Sequence, residues 1–258
     1  MTNLKSGANA AFLLCLLCLL PLGASARVFD VGKEKFGTYL KGSYSTAPVG
    51  QSMFEKSSGT GMTFDNEVKY LPGYEFGFLW SMPWFNMRFG FELITPSKLK
   101  DVEARDASDN LIYNLTSDFS VATPKIGLEV NVNRWKESRT FVGGDWGMAN
   151  LTVTNSYTFQ SGQTKFPSLT DFREETKSAA QTYSGFVGFE TLFFDTTTFV
   201  IEAGYRVLKF DTLKHNTDIT NFQGTVVKGD QAHYDDGTAR SVDLSGPFAS
   251  VQFRFWMY

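Results

Sequence analysis

Cysteine is nearly absent from this sequence of 258 residues, and its two occurrences, Cys15 and Cys18, both lie near the amino terminus. If the segment that carries them is removed, the remaining chain cannot form a disulfide bond. The protein therefore does not belong with the small secreted scaffolds that disulfides hold together, and its fold must be stabilised by other means.

A strong charge of either sign is also absent. The chain has 24 Lys and Arg residues against 27 Asp and Glu residues, and its formal net charge is -3. Loss of Lys5 with the amino-terminal segment leaves 23 basic residues and a net charge of -4. This balance does not favour a nucleic-acid partner, and we predict none.

One long apolar run is present, "AAFLLCLLCLLPLG", preceded by Lys5 and followed by the small residues "ASA". This order predicts a signal peptide, residues 1–26, cleaved after Ala26, with residues 27–258 as one domain. A lipoprotein signal is the alternative because two cysteines lie in the run, but neither follows the small residues that such a site requires. No second run of about 18 apolar residues exists, which excludes helical membrane spans.

Apolar and polar residues alternate in eight segments of the remaining chain. In "MRFGFELI", residues 87–94, one face is apolar and the other carries Arg88 and Glu92. This period of two predicts half-buried strands, but it does not say whether the apolar face meets a core or a membrane. The predicted strands are Lys35–Thr46, Tyr74–Met82, Met87–Thr95, Ala122–Asn133, Arg139–Leu151, Tyr183–Phe193, Thr198–Phe210 and Gly246–Met257.

The connectors between these strands alternate strictly between short and long. The short ones are 83–86, 134–138 and 195–197, and the long ones lie around 47–73, 96–121, 152–182 and 211–245. An up-and-down barrel would place all long loops at one end, as outer-membrane barrels do, whereas Greek-key sandwiches do not separate their connectors. We therefore predict an all-β fold, a transmembrane up-and-down antiparallel β-barrel with eight strands, or ten if residues 218–228 add a hairpin.

Aromatic residues collect at the end of the predicted barrel that carries the short turns and the termini. Aromatic rings favour the membrane interface, whereas exposed aromatic turns would be costly in a soluble protein. The predicted interface aromatics are Trp84, Phe85, Trp135, Phe193, Phe194, Trp256 and Tyr258. A weaker girdle at the other end would comprise Tyr44, Tyr74, Phe119, Tyr183 and Phe210.

If the apolar phase faces lipid, each strand directs charged side chains into the lumen. Six acids and five bases form this set, and the near-balance predicts a closed salt-bridge network rather than a pore lined by one sign of charge. Glycines in the repeated unit Gly-apolar-Glu would make room for it. The predicted lumen charge network comprises Lys41, Glu75, Arg88, Glu92, Lys125, Glu129, Asp145, Glu190, Glu202, Arg206 and Arg254. Ile94 is inward by parity, which suggests that the upper lumen is not wholly polar.

The chain ends in "VQFRFWMY", an alternating strand that finishes on an aromatic residue. Here the sequence resembles the small outer-membrane β-barrel superfamily of Gram-negative bacteria. The resemblance implies location in the bacterial outer membrane, contact with its lipid and lipopolysaccharide, and recognition of the last strand by the barrel-assembly machinery. Tyr258 is out of phase with Phe253 and Phe255, so either the register shifts near Trp256 or the recognised end is Phe255.

Candidate catalytic chemistry is sparse. The two histidines, His215 and His233, lie in the fourth long connector, and neither is beside a serine in a predicted strand. The stretch "GDQAHYDDG" offers Asp230, His233, Asp235 and Asp236 to a divalent cation, but solvated acidic residues are the commoner interpretation. We predict no catalytic residue, no metal site and no cofactor.

The sequence thus favours an integral outer-membrane barrel that is not an enzyme. Its polar interior would be closed, and its long extracellular loops would serve surface structure, adhesion or the binding of a partner. The first alternative is a narrow porin-like channel for small solutes. A lipid-modifying outer-membrane enzyme is a further alternative, because some small barrels act on lipid A.

Overall fold

The computed structural model describes residues 30, 33–50, 63–64, 68–95, 99–234 and 237–257. The predicted signal peptide and Tyr258 lie outside these residues. Fourteen strands are present in the described part. They are β1 (Phe36–Gly50), β2 (Thr63–Phe64), β3 (Val68–Ser81), β4 (Phe85–Ile94), β5 (Leu99–Arg105), β6 (Leu111–Arg134), β7 (Ser138–Phe159), β8 (Phe172–Phe194), β9 (Thr197–Phe210), β10 (Lys214–His215), β11 (Ile219–Asn221), β12 (Gly224–Val226), β13 (Val242–Asp243) and β14 (Gly246–Met257).

Eight of these strands close into a ring. The hydrogen-bonded order is β1-β3-β4-β6-β7-β8-β9-β14, and β14 pairs again with β1. Every neighbour in the ring is antiparallel. The hairpin of β11 and β12 forms a separate two-stranded sheet outside the ring. The predicted up-and-down barrel is therefore confirmed, with eight strands rather than ten.

The described residues contain no helix that is long and apolar enough to span a bilayer.

In the half of the barrel near the short turns, the strands bury polar side chains inside and expose apolar ones outside. On β4, Phe89 and Leu93 are exposed, whereas Arg88 and Glu92 are buried. The apolar face of "MRFGFELI" therefore points away from the interior. A barrel with an apolar exterior and a charged interior is arranged for lipid around it.

Three strands continue far beyond the lipid-facing band. The long connectors predicted at 96–121 and 152–182 are wrong in large part, because β5, the upper part of β6, the end of β7 and the start of β8 occupy them. The loops that remain there are short, at 106–110 and 160–171. These segments alternate as strands do, but their outward residues are Thr, Ser and Asn, which are also common in loops.

In this extension the same alternate residues of each strand still face inward, but the inward residues are now apolar and the outward residues are polar. On β7, Asp145 is buried and Trp146 is exposed, whereas farther from the short turns Leu151 and Val153 are buried and Thr152 faces outward. The extension thus encloses an apolar core, as a soluble protein does. Ile94 is fully buried in that core, which confirms that the upper lumen is not wholly polar.

Two prolines within the strands of the ring lie where pairing is interrupted or begins. The β6–β7 ladder stops at Ala122 and resumes at Lys125 in the same register, so it skips Pro124. Pro247 is the second residue of β14 and pairs there with β9, before the pairing with β1 begins at Phe248. Proline is tolerated in a sheet only at such places, since it cannot donate to the ladder.

Candidate functional site

The lower interior of the barrel holds a cluster of charged side chains with almost no exposed surface. All eleven side chains of the sequence-derived set are buried here, and Arg139 joins them. The cluster therefore contains six acids and six bases, which we call the lumen network. Arg139 has the same parity as Asp145 on β7, so parity alone could have identified it.

Arg88 occupies the centre of the lumen network and bridges three strands. Its guanidinium donates to Glu202 Oε1 at 2.6 Å and to Asp145 Oδ1 at 2.8 Å, and it lies 3.3 Å from Glu129 Oε1. Its Cζ atom also lies 4.4 Å from the centroid of the Phe186 ring. The guanidinium is thus surrounded by three carboxylates and one aromatic face, an arrangement suited to arginine's planar, weakly hydrated cation.

Below Arg88, two further arginines hold the carboxylates that face the short turns. Arg254 donates to Glu129 at 2.5 Å and to Glu190 at 2.8 Å, and it lies 3.8 Å from Glu202. Arg139 donates to the same two carboxylates, at 2.9 Å to Glu129 and at 2.6 Å to Glu190. Because each carboxylate accepts from two arginines, the lower part of the network is closely cross-linked.

Above Arg88, the network continues through the lysines. Lys41 Nζ lies 2.7 Å from Glu202 and 3.8 Å from Glu75. Lys125 Nζ lies 3.6 Å from Glu75 and 2.7 Å from Glu92. Arg206 ends this part of the network, with Nη1 at 3.2 Å from Glu92 Oε1. Glu92 thus lies in the upper part of the network, whereas Glu129, Glu190 and Glu202 lie within 4 Å of Arg254.

Glycines make room for these side chains, as the repeated Gly-apolar-Glu unit suggested. A Cβ atom at Gly127 would overlap the Asp145 carboxylate, and one at Gly188 would overlap the Phe141 ring. Phe141 is a lumen residue that the sequence analysis missed. Its ring lies 5.0 Å from Arg139 Cζ and 5.3 Å from Arg254 Cζ, so it packs against both cations.

We expect Gly188→Ala to destabilise the barrel by about 1 to 3 kcal/mol, because the added methyl group overpacks a filled interior. Gly185→Ala on the same strand is the matched control, since a Cβ atom there meets nothing within 4 Å. Urea unfolding of both variants in lipid vesicles measures the difference. Equal stability of the two variants would show that the interior yields to the methyl group.

The upper interior is filled by apolar side chains from the ring and from the fourth long connector. Leu71, Val121, Leu151 and Phe210 from the ring pack together with Leu213 from the connector. A cavity of about 10 Å³, which is room for about one water molecule, lies in the upper part of the lumen network, lined by Lys41, Glu92, Lys125, Asp145 and Arg206 among others. The interior is therefore blocked first by ion pairs and then by apolar packing.

The cap, which comprises the described part of residues 211–245, is anchored by one ring at the top of the barrel. Phe222, in the turn between β11 and β12, contacts Tyr113, Tyr157, Phe159, Phe166 and Phe172. A groove of about 300 Å³ lies beside it. Its lining residues are Lys165, Phe166, Pro167, Ser168, Leu169, Thr220, Asn221, Phe222 and Gly224.

Of the two histidines, His215 lies inside the cap. Its Nδ1 atom is 3.5 Å from Glu174 Oε1, and Arg240 Nη1 is 2.7 Å from Glu174 Oε2. Burial lowers the pKa of His215 below its ordinary value, and the Glu174 carboxylate opposes this shift. His233 forms an isolated bridge with Ala239, and two members of the candidate cation site, Asp235 and Asp236, lie outside the described residues.

The structure corrects three aromatic assignments. Trp256 is buried, and its Nε1–H donates to Thr198 Oγ1 at 3.0 Å, so it is not an interface residue. Phe119 and Phe210, predicted for the upper girdle, are buried in the apolar cluster. All three share the parity of inward residues on their strands, such as Arg254 for Trp256. The rings at Trp84, Trp135, Phe193 and Phe194 are exposed near the short turns, and Phe85 is half-buried.

The structure also shows the register of the last strand. β14 pairs with β1 without a shift from Phe248 to Met257, so no register change occurs near Trp256. Phe255 stays in the outward phase of the strand.

Together, the closed ring, the apolar exterior and the charged interior define a small transmembrane β-barrel of the outer-membrane type. Only helices and closed barrels satisfy their backbone groups within lipid, and this chain uses the second solution.

Comparison with known proteins finds solved structures that are similar at low identity. No family model matches the sequence, and no curated protein matches it. Ail, the attachment invasion locus protein of Yersinia pestis, is 11% identical, with a TM-score of 0.44 over 87% of this chain and 99% of that chain. OprG from Pseudomonas aeruginosa is 12% identical, with a TM-score of 0.42 over 88% and 98%. The outer membrane protease OmpT from Escherichia coli is 8% identical, with a TM-score of 0.37 over 91% and 100%.

Proposed function

We propose that this protein is a closed, non-enzymatic outer-membrane barrel whose extracellular end binds a partner. The long-loop end faces the outside of the cell, and the short turns face the periplasm, as in other barrels of this class. The transmembrane ring serves as a rigid anchor. The extension of β6, β7 and β8 carries the binding surface away from the lipid.

The observation that supports this proposal is that two groups of side chains, ion pairs below and apolar residues above, fill the interior. An ion-selective pore needs a path lined by one sign of charge, whereas here six acids and six bases neutralise one another at contact distance. Apolar side chains then fill the lumen above the ion pairs. Eight strands leave an interior that side chains can fill, so closure needs no separate plug domain.

We expect purified protein in planar lipid bilayers to show no unitary conductance steps above the leak of the bare bilayer. A porin inserted under the same conditions is the positive control. A stable open state well above the leak would contradict the closed barrel and would support the narrow channel instead.

The groove beside Phe222 is the candidate site for the partner. Its volume of about 300 Å³ is at the lower end of the range of small-ligand pockets, and aromatic walls with a few polar groups are typical of such sites. It is formed by two loops held on a rigid β extension, which is the usual arrangement of binding loops on a scaffold.

We expect Ser168→Trp to reduce binding several-fold, because the exposed Ser168 lines the groove and the indole would fill it. Ser161→Trp is the matched control, since Ser161 is exposed in the same loop and does not line the groove. The measurement is adhesion of cells expressing each variant to immobilised host-matrix proteins and to one another. Equal adhesion of the two variants, at equal surface levels, would exclude the groove.

A further inference from the structure

One buried carboxylate near the start of β8 contacts three separate segments of the cap. Glu174 is almost fully buried. Its Oε2 atom accepts a hydrogen bond from Arg240 Nη1 at 2.7 Å, and its Oε1 atom accepts one from Asn221 Nδ2 at 3.3 Å. His215 approaches the same Oε1 atom, with Nδ1 at a distance of 3.5 Å. Glu174 is therefore a point at which polar contacts hold the cap on the β extension.

His215 is enclosed between β8 and the rest of the cap. It pairs with Thr176 across the β8–β10 ladder, and its backbone N–H donates to Asp230 O at 2.9 Å. The side chain is buried, but its Nδ1 atom has no hydrogen-bond partner among the described residues. A neutral imidazole can leave one ring nitrogen without a proton, whereas an imidazolium carries an N–H on both and needs an acceptor for each. The closed cap thus suits the neutral form of His215.

Protonation of His215 would place a second cation beside one acid. Arg240 is as deeply buried as His215, and its guanidinium already pairs with the Glu174 carboxylate. The imidazolium would therefore leave two cations against one anion in a site with almost no access to water. Burial of a charge without a partner of its own costs free energy, which the imidazole avoids by remaining neutral.

The remaining charges near His215 do not offset this cost. Asp230 favours the proton and His233 disfavours it, and water weakens the effect of Asp230 because that residue is exposed. The charged side chains on the outer face of the β8–β10 ladder lie on the opposite side of the sheet; they are Glu175, Lys177 and Lys214. The pKa of His215 accordingly lies below its ordinary value of about 6.5, with burial as the largest cause.

We propose that protonation of His215 opens the cap, so that mild acid dismantles the groove beside Phe222 and releases the partner. The groove depends on the closed cap, because Asn221 lines it and also donates to Glu174. Phe222 follows Asn221 directly, so loss of the contact with Glu174 frees the turn that carries the anchoring ring. This inference rests on the proposed function, since it concerns the control of the same groove.

The direction and the pH range follow from proton linkage. In the open cap His215 is in water and binds a proton at its ordinary pKa of about 6.5, whereas the closed cap binds the proton only at lower pH. The free energy that holds the cap closed is therefore complete above about pH 6.5 and decreases as the pH falls toward the lowered pKa. Because one proton is taken up, the ratio of open to closed cap can rise by at most about tenfold per pH unit.

Cysteine labelling measures the open fraction, since the chain beyond residue 26 contains no cysteine. Thr176→Cys is nearly isosteric, and Thr176 is buried opposite His215 with no hydrogen-bond partner for its hydroxyl among the described residues. A neutral maleimide labels this position only when the cap opens. Division by the rate for the exposed Thr225→Cys at the same pH removes the effect of pH on the thiol itself. We expect the corrected rate of the full barrel in nanodiscs to rise several-fold from about pH 7.5 to about pH 5.5.

Three variants, each combined with Thr176→Cys, test the role of His215. His215→Gln cannot take up a proton, so its corrected labelling rate should not depend on pH. His233→Gln is the matched control, since His233 is half-buried in the same cap, and it should keep the rise in acid. Arg240→Gln removes the competing cation, so protonated His215 can pair with Glu174 and the rate should fall, rather than rise, in acid.

A wild-type rate that does not change over this pH range would overturn the inference. A rise that persists in His215→Gln would overturn it as well, because another group would then control the cap. The labelling needs no partner and is therefore independent of the proposed function. If Ser168→Trp adheres like its control while the rise in acid still depends on His215, the proposed function alone is contradicted, so the two failures are distinguishable.

Discussion

Arg88→Met is expected to lower the free energy of unfolding by about 3 to 5 kcal/mol. The methionine side chain fills part of the space but leaves the carboxylates of Asp145 and Glu202 buried without their closest cation. Removing one partner from a buried ion pair costs much more than the pair contributes, because the remaining charge is neither solvated nor neutralised.

Equilibrium unfolding by urea in lipid vesicles, followed by tryptophan fluorescence, measures this loss. Lys209→Met on β9 is the matched control, because Lys209 is exposed and its ion pair with Asp211 lies at the surface. We expect the control to change the free energy of unfolding by less than about 0.5 kcal/mol. If both variants unfolded at the wild-type urea concentration, the lumen network would not stabilise the barrel.

A charge placed on the lipid-facing side should have the second large effect. We expect Leu128→Arg to cost about 2 to 4 kcal/mol, because Leu128 is exposed on the outside of β6 between the inward residues Gly127 and Glu129. The position thus requires an apolar side chain, although a charge is buried one residue away. An arginine on the inside and an arginine on the outside of the same barrel should have opposite effects.

The control for this substitution lies on the same exterior above the lipid-facing band. Asn150→Arg on β7 adds the same charge at an exposed position beside the outward threonine Thr152. We expect it to be nearly neutral in the same unfolding measurement. Similar losses for Leu128→Arg and Asn150→Arg would mean that the lipid boundary does not lie between them.

The alternation of inward and outward residues predicted most of the membrane-spanning half, because lipid requires the outer face of every strand to be apolar. The exterior must be apolar, so the other face of each strand must hold whatever is polar, as Arg88 and Glu92 do. Parity also places Arg139 and Trp256 inside, and both were missed where residue type was given more weight than phase. Trp256 resembled an interface anchor, but its indole N–H has a buried partner in Thr198.

The extension above the membrane could not be separated from loops by composition. Its outward residues lie above the lipid-facing band, so nothing requires them to be apolar, and Thr, Ser and Asn are common in both strands and turns. A local signal did exist in the alternation of Leu115, Phe119 and Val121 with polar residues. In this segment the apolar residues face inward, whereas in the membrane-spanning half the apolar residues face outward.

The cap is anchored by tertiary contacts. Phe222 lies in a short hairpin without apolar periodicity, and it contacts rings from three distant strands. No pattern within residues 211–245 indicates those partners. The groove beside Phe222, which exists only because two loops meet, was for the same reason beyond sequence-based prediction.

Along β6 and β7, the inward side chains change from charged to apolar where the outward side chains change from apolar to polar. This change also protects the pairing of the two strands against misalignment. A slip of one residue turns every side chain of a strand to the opposite face. In this barrel, such a slip would put Lys125 into hydrocarbon and Val121 into water at the same time. A uniformly amphipathic strand would meet only one of these penalties, whereas here two different solvents both disfavour the wrong alignment. The unbroken register through the middle of these long strands is what such double selection would produce.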